Sequence, residues 1–200
     1  MNTQQAIQER RSVKHYDPAH VMPQSDIDKL IDLAMLTPTS FNMQNWRFLA
    51  VKNPELRNKI KAAAWGQAQV TDASLLLIVC ADLNAHARQP QRYWANAPKN
   101  VQDMIVPMIG KFYEGNATLQ RDEAMRSAGL AAQTLMLAAK DMGYDSCPMV
   151  GFDPQKVAQL IHLPADHVIG MLITIGKALQ PAQGRGGQLP KKEVMFVDTF

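Results

Sequence analysis

The chain of 200 residues predicts a fold of helices and a mostly buried sheet of about four strands, α+β or α/β. Three observations carry this. Apolar stripes of helical period recur along the chain, the longest between residues 121 and 142. Short apolar runs of strand length interrupt them. One of these runs, Ser74–Ala81, is apolar at nearly every position, which marks a strand covered on both faces.

Residues 3–10 read as a short helix. Ser25 suits an N-cap, with Asp26 and Asp28 in the first turn and Ile27, Leu30, Ile31, Ala34 and Met35 on one face. That helix stops at Thr37-Pro38, because proline disfavours helical geometry in the residue before it. Trp46–Val51 reads as a strand and Pro54–Ala64 as a helix. Residues 82–97 are polar and irregular, and Pro98 opens a helix to about Tyr113. A long helix from about Arg121 to Met142 carries Ala124, Ala128, Ala131, Ala132, Ala138 and Ala139, and Gly143 stops it. Small side chains at that density predict close approach to neighbouring elements. Tyr144–Cys147 is a short strand, Asp153-Pro154 starts a helix, and His167–Gly176 is an apolar strand. The polar tail, residues 177–200, has no core of its own and should wrap over something.

Composition narrows the function classes. Hydrophobic residues make up 46% and charged residues 20% of the chain, as in a soluble globular protein. A net charge of +3 without a basic face argues against nucleic acid. Leu75–Ala81 and Val168–Ile175 are the longest apolar runs and are too short to span a membrane. The polar N-terminal residues and the two cysteines, Cys80 and Cys147, point to a reducing, cytoplasmic setting. The histidines lack metal-ligand spacing, and neither a G-x-G-x-x-G turn nor a P-loop occurs.

Four segments carry candidate chemistry. Arg10-Arg11-Ser12-Val13-Lys14 offers guanidinium forks, a hydroxyl and an ammonium to an oxyanion; equally, cations favour the end of a helix. Pro38-Thr39-Ser40-Phe41-Asn42-Met43-Gln44 has turn chemistry, yet its amides can match the alternating acceptors and donors of a flavin pyrimidine edge. Pro148-Met149-Val150-Gly151-Phe152-Asp153 joins a strand to a helix, and Gly151 permits close backbone approach to a ligand. Gly184-Arg185-Gly186-Gly187 holds a cation in a glycine-rich loop, either solvated or reaching a phosphate.

Jointly, these segments resemble the nitroreductase family of FMN-dependent oxidoreductases, from Arg10 to the tail. The most specific parts are Arg10-Arg11-Ser12-Val13 followed by Tyr16-Asp17-Pro18, and the run Thr37–Phe48. The alanine-rich helix ending in Met142-Gly143-Tyr144-Asp145-Ser146, followed by Pro148–Asp153, agrees independently. The resemblance implies an α+β sandwich with helices around a mixed sheet, a single domain over 1–200, and an intertwined homodimer with FMN at the subunit interface. It implies that Arg10 and Arg185, helped by Ser12 and flanked by Arg11 and Gly186, hold the phosphate. Lys14 would lie near N1 and the C2 carbonyl of the ring. Pro38, Thr39, Ser40, Asn42 and Gln44 would come from the partner subunit. Pro148 and Met149 would pack on a ring face, the Val150 and Gly151 backbone would approach N5, and Gln67 would serve the pyrimidine edge.

The implied activity is ping-pong transfer of hydride from NADH or NADPH, through flavin N5, to a nitroaromatic, a quinone or a similar electron-poor acceptor. No side chain acts as nucleophile, and Lys14 gives electrostatic support to the reduced ring. Acceptor choice is expected to depend on residues 82–120, with Tyr93, Trp94, Phe112 and Tyr113 available to line it. The competing readings are a flavin-binding module without turnover, and a family member specialised for a semialdehyde, an activated alkene or dehalogenation.

Overall fold

The computed structural model describes residues 1–200. Its helices are α1 (Thr3–Glu9), α2 (Gln24–Ala34), α3 (Pro54–Ala63), α4 (Gln69–Asp72), α5 (Lys99–Tyr113), α6 (Ala117–Asp141) and α7 (Pro154–Leu160). Its strands are β1 (Trp46–Ala50), β2 (Leu75–Asp82), β3 (Asp145–Met149) and β4 (His167–Gly176). They form one four-stranded sheet in the order β1-β2-β4-β3. The fold is α+β. All the strand pairings are antiparallel, which corrects the expected mixed sheet; the parallel element is an isolated bridge between Ser12 and Ser146.

The sheet separates two apolar layers because β2 and β4 send alternate residues to opposite faces. Leu75, Leu77, Val79, Ile173 and Ile175 meet the alanine face of α6 and the Leu30–Ala34 stripe of α2. Leu76, Ile78, Leu172, Cys147 and Met149 meet Ile60 and Ala63 of α3 and Val157 of α7. Every residue of β2 is therefore buried, as its unbroken apolar run requires.

Local signals explain most boundaries. Asn53 and Asp153 cap α3 and α7 through their side chains, each followed by a proline in the first turn. Helix α2 starts before the expected cap: the Pro23 carbonyl already accepts from the Asp26 and Ile27 N–H groups, so Ser25 lies inside the first turn. Helix α6 likewise starts earlier than expected, because the Asn116 side chain accepts from the Leu119 N–H. Gly143, at φ +77°, ends α6 and turns the chain into β3. Strand β3 runs on through Pro148, which an edge strand tolerates because it has one unpaired side. The polar stretch before α5 contains two short 3-10 turns, Ala85–Ala87 and Pro90–Trp94.

The tightest contact in the layer packing is Gly170 of β4 against α6. A Cβ there would lie 2.8 Å from the Ala128 Cβ and 3.2 Å from the Val79 carbonyl oxygen. Neither atom can swing aside. Gly170→Ala is expected to cost about 1–3 kcal/mol through overpacking, read as a lower chemical-denaturation midpoint with secondary structure retained; an unchanged midpoint would mean that α6 can slide on the sheet.

Candidate functional site

Residues 10–14 lie along the outer edge of β3. The Val13 N–H donates to the Ser146 carbonyl at 3.0 Å, which seats the segment beside the strand. Val13 is buried as its anchor, while Ser12 and Lys14 remain exposed. Arg10 ends α1 and turns inward. Its Nη1 is buried and has no hydrogen-bond partner in the protein. A buried, unpaired guanidinium nitrogen is costly, so an anion at this position would relieve it. Arg10 and Lys14 both act on Cys147 of β3: burial pushes the thiol up, and the two cations pull it down.

Arg185 lies beside Arg10 at the end of α1. Its Nη2 reaches the carbonyls of Gln8 at 3.2 Å and of Ile7 and Arg10 at 3.4 Å, the free carbonyls at the end of α1. A guanidinium is a natural partner for a helix C-terminus. Arg11 Nη2 donates to the Gln183 carbonyl, so the tail and the first segment are stitched together twice. A polar cleft of about 110 Å³ lies between Ser12–His15 and Gln180–Gln183. Gly186 is exposed beyond it and meets no neighbour.

The strand-to-helix turn lies on the same side. Met149 is buried in the layer between β3, α3 and α7, so its side chain packs in the core and not on an external ring; this corrects the expectation. Pro148 points to the opposite face and is half-buried. The N–H groups of Val150 and Gly151 donate to nothing within the chain. Gly151 is needed for a neighbour that the sequence did not suggest: a Cβ there would lie 3.1 Å from Trp65 Cζ3 and 3.4 Å from Gln67 Nε2. Gln67 Nε2 donates to the Gly151 carbonyl at 2.7 Å and to Ala64 at 3.1 Å, and Gln67 Oε1 accepts from Gln69 at 3.0 Å. Its amide thus fastens two turns together, and its donors are taken.

The second group of expected residues is elsewhere. Thr39, Ser40, Asn42 and Gln44 form a strained loop in which Phe41, Asn42 and Gln44 have φ of 50°, 53° and 47°. Non-glycine residues in the left-handed region cost about 1–2 kcal/mol each, and the surroundings hold them there. The Ser40 N–H donates to the buried Glu123 carboxylate at 3.3 Å, and the Tyr113 hydroxyl donates to Ser40 Oγ at 2.8 Å. Asn42 Nδ2 donates to the Tyr93 carbonyl at 2.8 Å, Trp94 Nε1 to the Phe41 carbonyl at 3.0 Å, and the Gln44 N–H to Thr39 Oγ1 at 2.9 Å. Pro38 is exposed beside the loop. No hydrogen bond joins this loop to the Arg10–Gly151 group. Tyr93 and Tyr113 are buried supports of the loop and not an exposed lining; Phe112 is the exposed aromatic of α5, its ring tilted at 56° to that of Phe41 with centroids 5.7 Å apart.

The roomier clefts, about 830, 480 and 450 Å³, contain none of the expected site residues. A further charged cluster joins the ends of β2 and β4. Buried Asp82 accepts from Arg47 Nη2 at 3.0 Å and pairs with Arg88 Nε at 2.9 Å, while Asp166 pairs with Arg88 and with His167 Nδ1 at 2.7 Å. Its carboxylates are neutralised by two guanidinium groups, so the cluster is a structural clasp.

The family model for the nitroreductase family matches residues 7–177. The chain belongs to the nitroreductase family. Protein DrgA of Synechocystis sp. is 55% identical over 185 residues, 92% of this chain and 88% of that one. An oxygen-insensitive NADPH nitroreductase of Helicobacter pylori is 27% identical over 187 residues, 89% of this chain and 88% of that one. Among nitroreductase-like structures, one from Exiguobacterium sibiricum, crystallised in complex with FMN, superimposes with a TM-score of 0.92 at 28% identity, covering 99% of this chain and 98% of that one. The α+β class expected from the resemblance is therefore the observed one.

Trp65 and Glu123 are the functional candidates that sequence reading missed. Trp65-Gly66 directly after a helix was the available signal for the first. Nothing local marks Glu123, whose importance arises from a contact across 83 residues of sequence. Glu123→Ala leaves the Ser40 N–H and the Ser127 hydroxyl without their acceptor. It is expected to cost about 1–3 kcal/mol and to speed amide hydrogen exchange selectively in residues 39–44; exchange unchanged there would show that the loop holds its strain unaided.

Proposed function

We propose that this chain is an FMN-dependent oxidoreductase that draws hydride from NAD(P)H and passes it to an electron-poor acceptor, a nitroaromatic or a quinone. The observation that carries the reading is the buried Arg10 Nη1 without a protein partner, at the edge that also presents Ser12 and Lys14. That donor set fits a phosphate monoester. FMN, when bound, supplies a ring that takes up hydride at N5 and gives it to the acceptor.

The chain's own groups have defined parts. Arg10 holds the phosphate and Ser12 adds a hydroxyl donor. Arg185 keeps α1 and the tail in register beneath Arg10. Lys14 puts positive charge where negative charge develops on reduction, an interaction that strengthens as water leaves. The free N–H groups of Val150 and Gly151 offer donors to a ring nitrogen. Neither cysteine is a nucleophile: burial pushes Cys80 up to about 12 and raises Cys147 as well.

The reading includes a homodimer. Within one chain Ser12, Lys14 and Val150 are exposed at this edge and no hydrogen bond joins it to the 39–44 loop, which a second copy would supply. The tail supports the same arrangement. Leu189, Val194, Met195, Phe196, Val197 and Phe200 are exposed on a chain that offers them no cover.

Arg10→Ala is expected to weaken FMN binding about 10- to 100-fold, the worth of a charge-assisted hydrogen bond, while binding of riboflavin, which lacks the phosphate, stays as in wild type. Flavin fluorescence titration of the apoprotein reads both, and equal affinity of the variant and wild type for FMN would refute the phosphate assignment. Light scattering of the FMN-loaded protein is expected to give the mass of two chains; a monomer with full FMN content would refute the shared site. FMN that NAD(P)H fails to bleach would leave a binding module in place of the enzyme.

A further inference from the structure

Trp65 stands out for its conformation. Helix α3 ends at Ala63, and the residue that turns left-handed after a helix is usually glycine, because a side chain there is strained. Here the chain puts tryptophan at that position, φ +55°, and glycine next, Gly66 at φ +76°. A bulky residue held left-handed for no packing gain would be unfavourable, and Trp65 gains little: it is 71% exposed.

Its approach to Gly151 explains where it points. The six-membered ring of the indole lies on Gly151, near enough that any side chain at 151 would meet it. Gln67, two residues on, fixes the same turn to the Gly151 carbonyl. The indole is thus anchored by one edge to the turn whose Val150 and Gly151 N–H groups are free, and the rest of its surface faces solvent beside them. The other tryptophans serve the interior or a loop: Trp46 is buried and Trp94 donates to the Phe41 carbonyl.

We propose that Trp65 is a specificity-determining residue, a flat platform that stacks a planar conjugated acceptor next to the Val150–Gly151 turn. The proposal rests on the function given above, because it needs the reacting edge to lie at that turn. The indole face favours electron-poor rings through dispersion and complementary quadrupoles. Nitroaromatics and quinones have that character; a compact, non-planar oxidant does not. Gly151 has its place in the arrangement, since a methyl group there would push the platform aside.

The test compares acceptors in the FMN-loaded enzyme with NADH or NADPH as donor. Trp65→Ala is expected to raise KM for p-benzoquinone about three- to tenfold, the worth of an aromatic stack, with kcat and FMN content held. Trp65→Phe is expected to restore KM to within about twofold, because a smaller aromatic face remains. Constants for ferricyanide, which has no ring to stack, are expected to stay as in wild type. Parallel changes for both acceptors, or an unchanged quinone KM in Trp65→Ala, would overturn the assignment. Direct binding gives a second readout, independent of turnover. Titrating p-nitrobenzoate into the FMN-loaded protein is expected to quench indole emission in wild type and not in Trp65→Phe, and an identical quench in both would also overturn it. A wild type that holds FMN yet oxidises no NAD(P)H would instead remove the enzymatic reading, and the quench would then decide the platform alone.

Discussion

The close seating of α6 on the sheet is the constraint from which the rest of the molecule follows. A helix can come this near only if both surfaces are bare, and they are: Ala124, Ala128 and Ala132 on α6 face β2 and β4, with Gly170 against Ala128. The helix is long as well, 25 residues, or about 37 Å at the usual rise. At one end Glu123 holds the 39–44 loop. At the other, Gly143 feeds β3, which carries the Arg10–Lys14 segment on its edge and ends at Val150-Gly151. Strand β3 then runs back along β4 from Gly176 toward Gly170, which packs on Ala128 of α6, so the Val150–Gly151 turn returns toward the Glu123 half of the helix. What separates it from the loop before β1 is the width of the sheet, because β1 and β3 are its opposite edges.

Strain is distributed in a way that agrees with this division. Non-glycine residues in the left-handed region are Phe41, Asn42, Gln44, Trp65, Gln89, His162 and Asp198. Phe41, Asn42 and Gln44 lie in the loop held by Glu123, and Trp65 touches Gly151 just past the edge strand β3. Such conformations persist only where neighbours enforce them. Around the loop the enforcers are Glu123, Tyr93, Trp94 and Tyr113. This changes the part assigned to residues 82–120. Much of that stretch braces the loop from behind, and its aromatics are rigid supports before they are contacts for any acceptor.

The sequence was readable where the physics is local. Asp153-Pro154, the alanine stripe of α6, the apolar run of β2 and the stop at Gly143 each rest on a few neighbouring residues, and each of those elements is present, with α6 starting one turn early at Ala117. It was less readable where a partner decides the matter. Ser25 looked like a cap, but the Pro23 carbonyl had already opened the helix. Met149 looked available to a ligand, but the period of β3 turns it into the core. Arg185 and Gln67 were chosen as ligand donors for their chemistry. The fold engages the Gln67 amide and one nitrogen of Arg185 with carbonyls of Gly151 and α1, contacts that depend on residues far apart in sequence. Arg10 is the contrasting case, because its inward nitrogen is left without a protein acceptor.

That contrast bears on how the chain could promote a reaction at all. The cysteine closest to the candidate site, Cys147, feels two opposed influences. Burial in β3 disfavours the thiolate, and Arg10 and Lys14 favour it; burial is the larger. The thiol therefore stays neutral. What the chain offers at this edge is an unpaired guanidinium, an exposed ammonium, two free backbone donors and an indole face. None of these makes or breaks a covalent bond. Each can hold charge or a flat ring in place, which is the contribution a protein makes when a bound redox group supplies the chemistry.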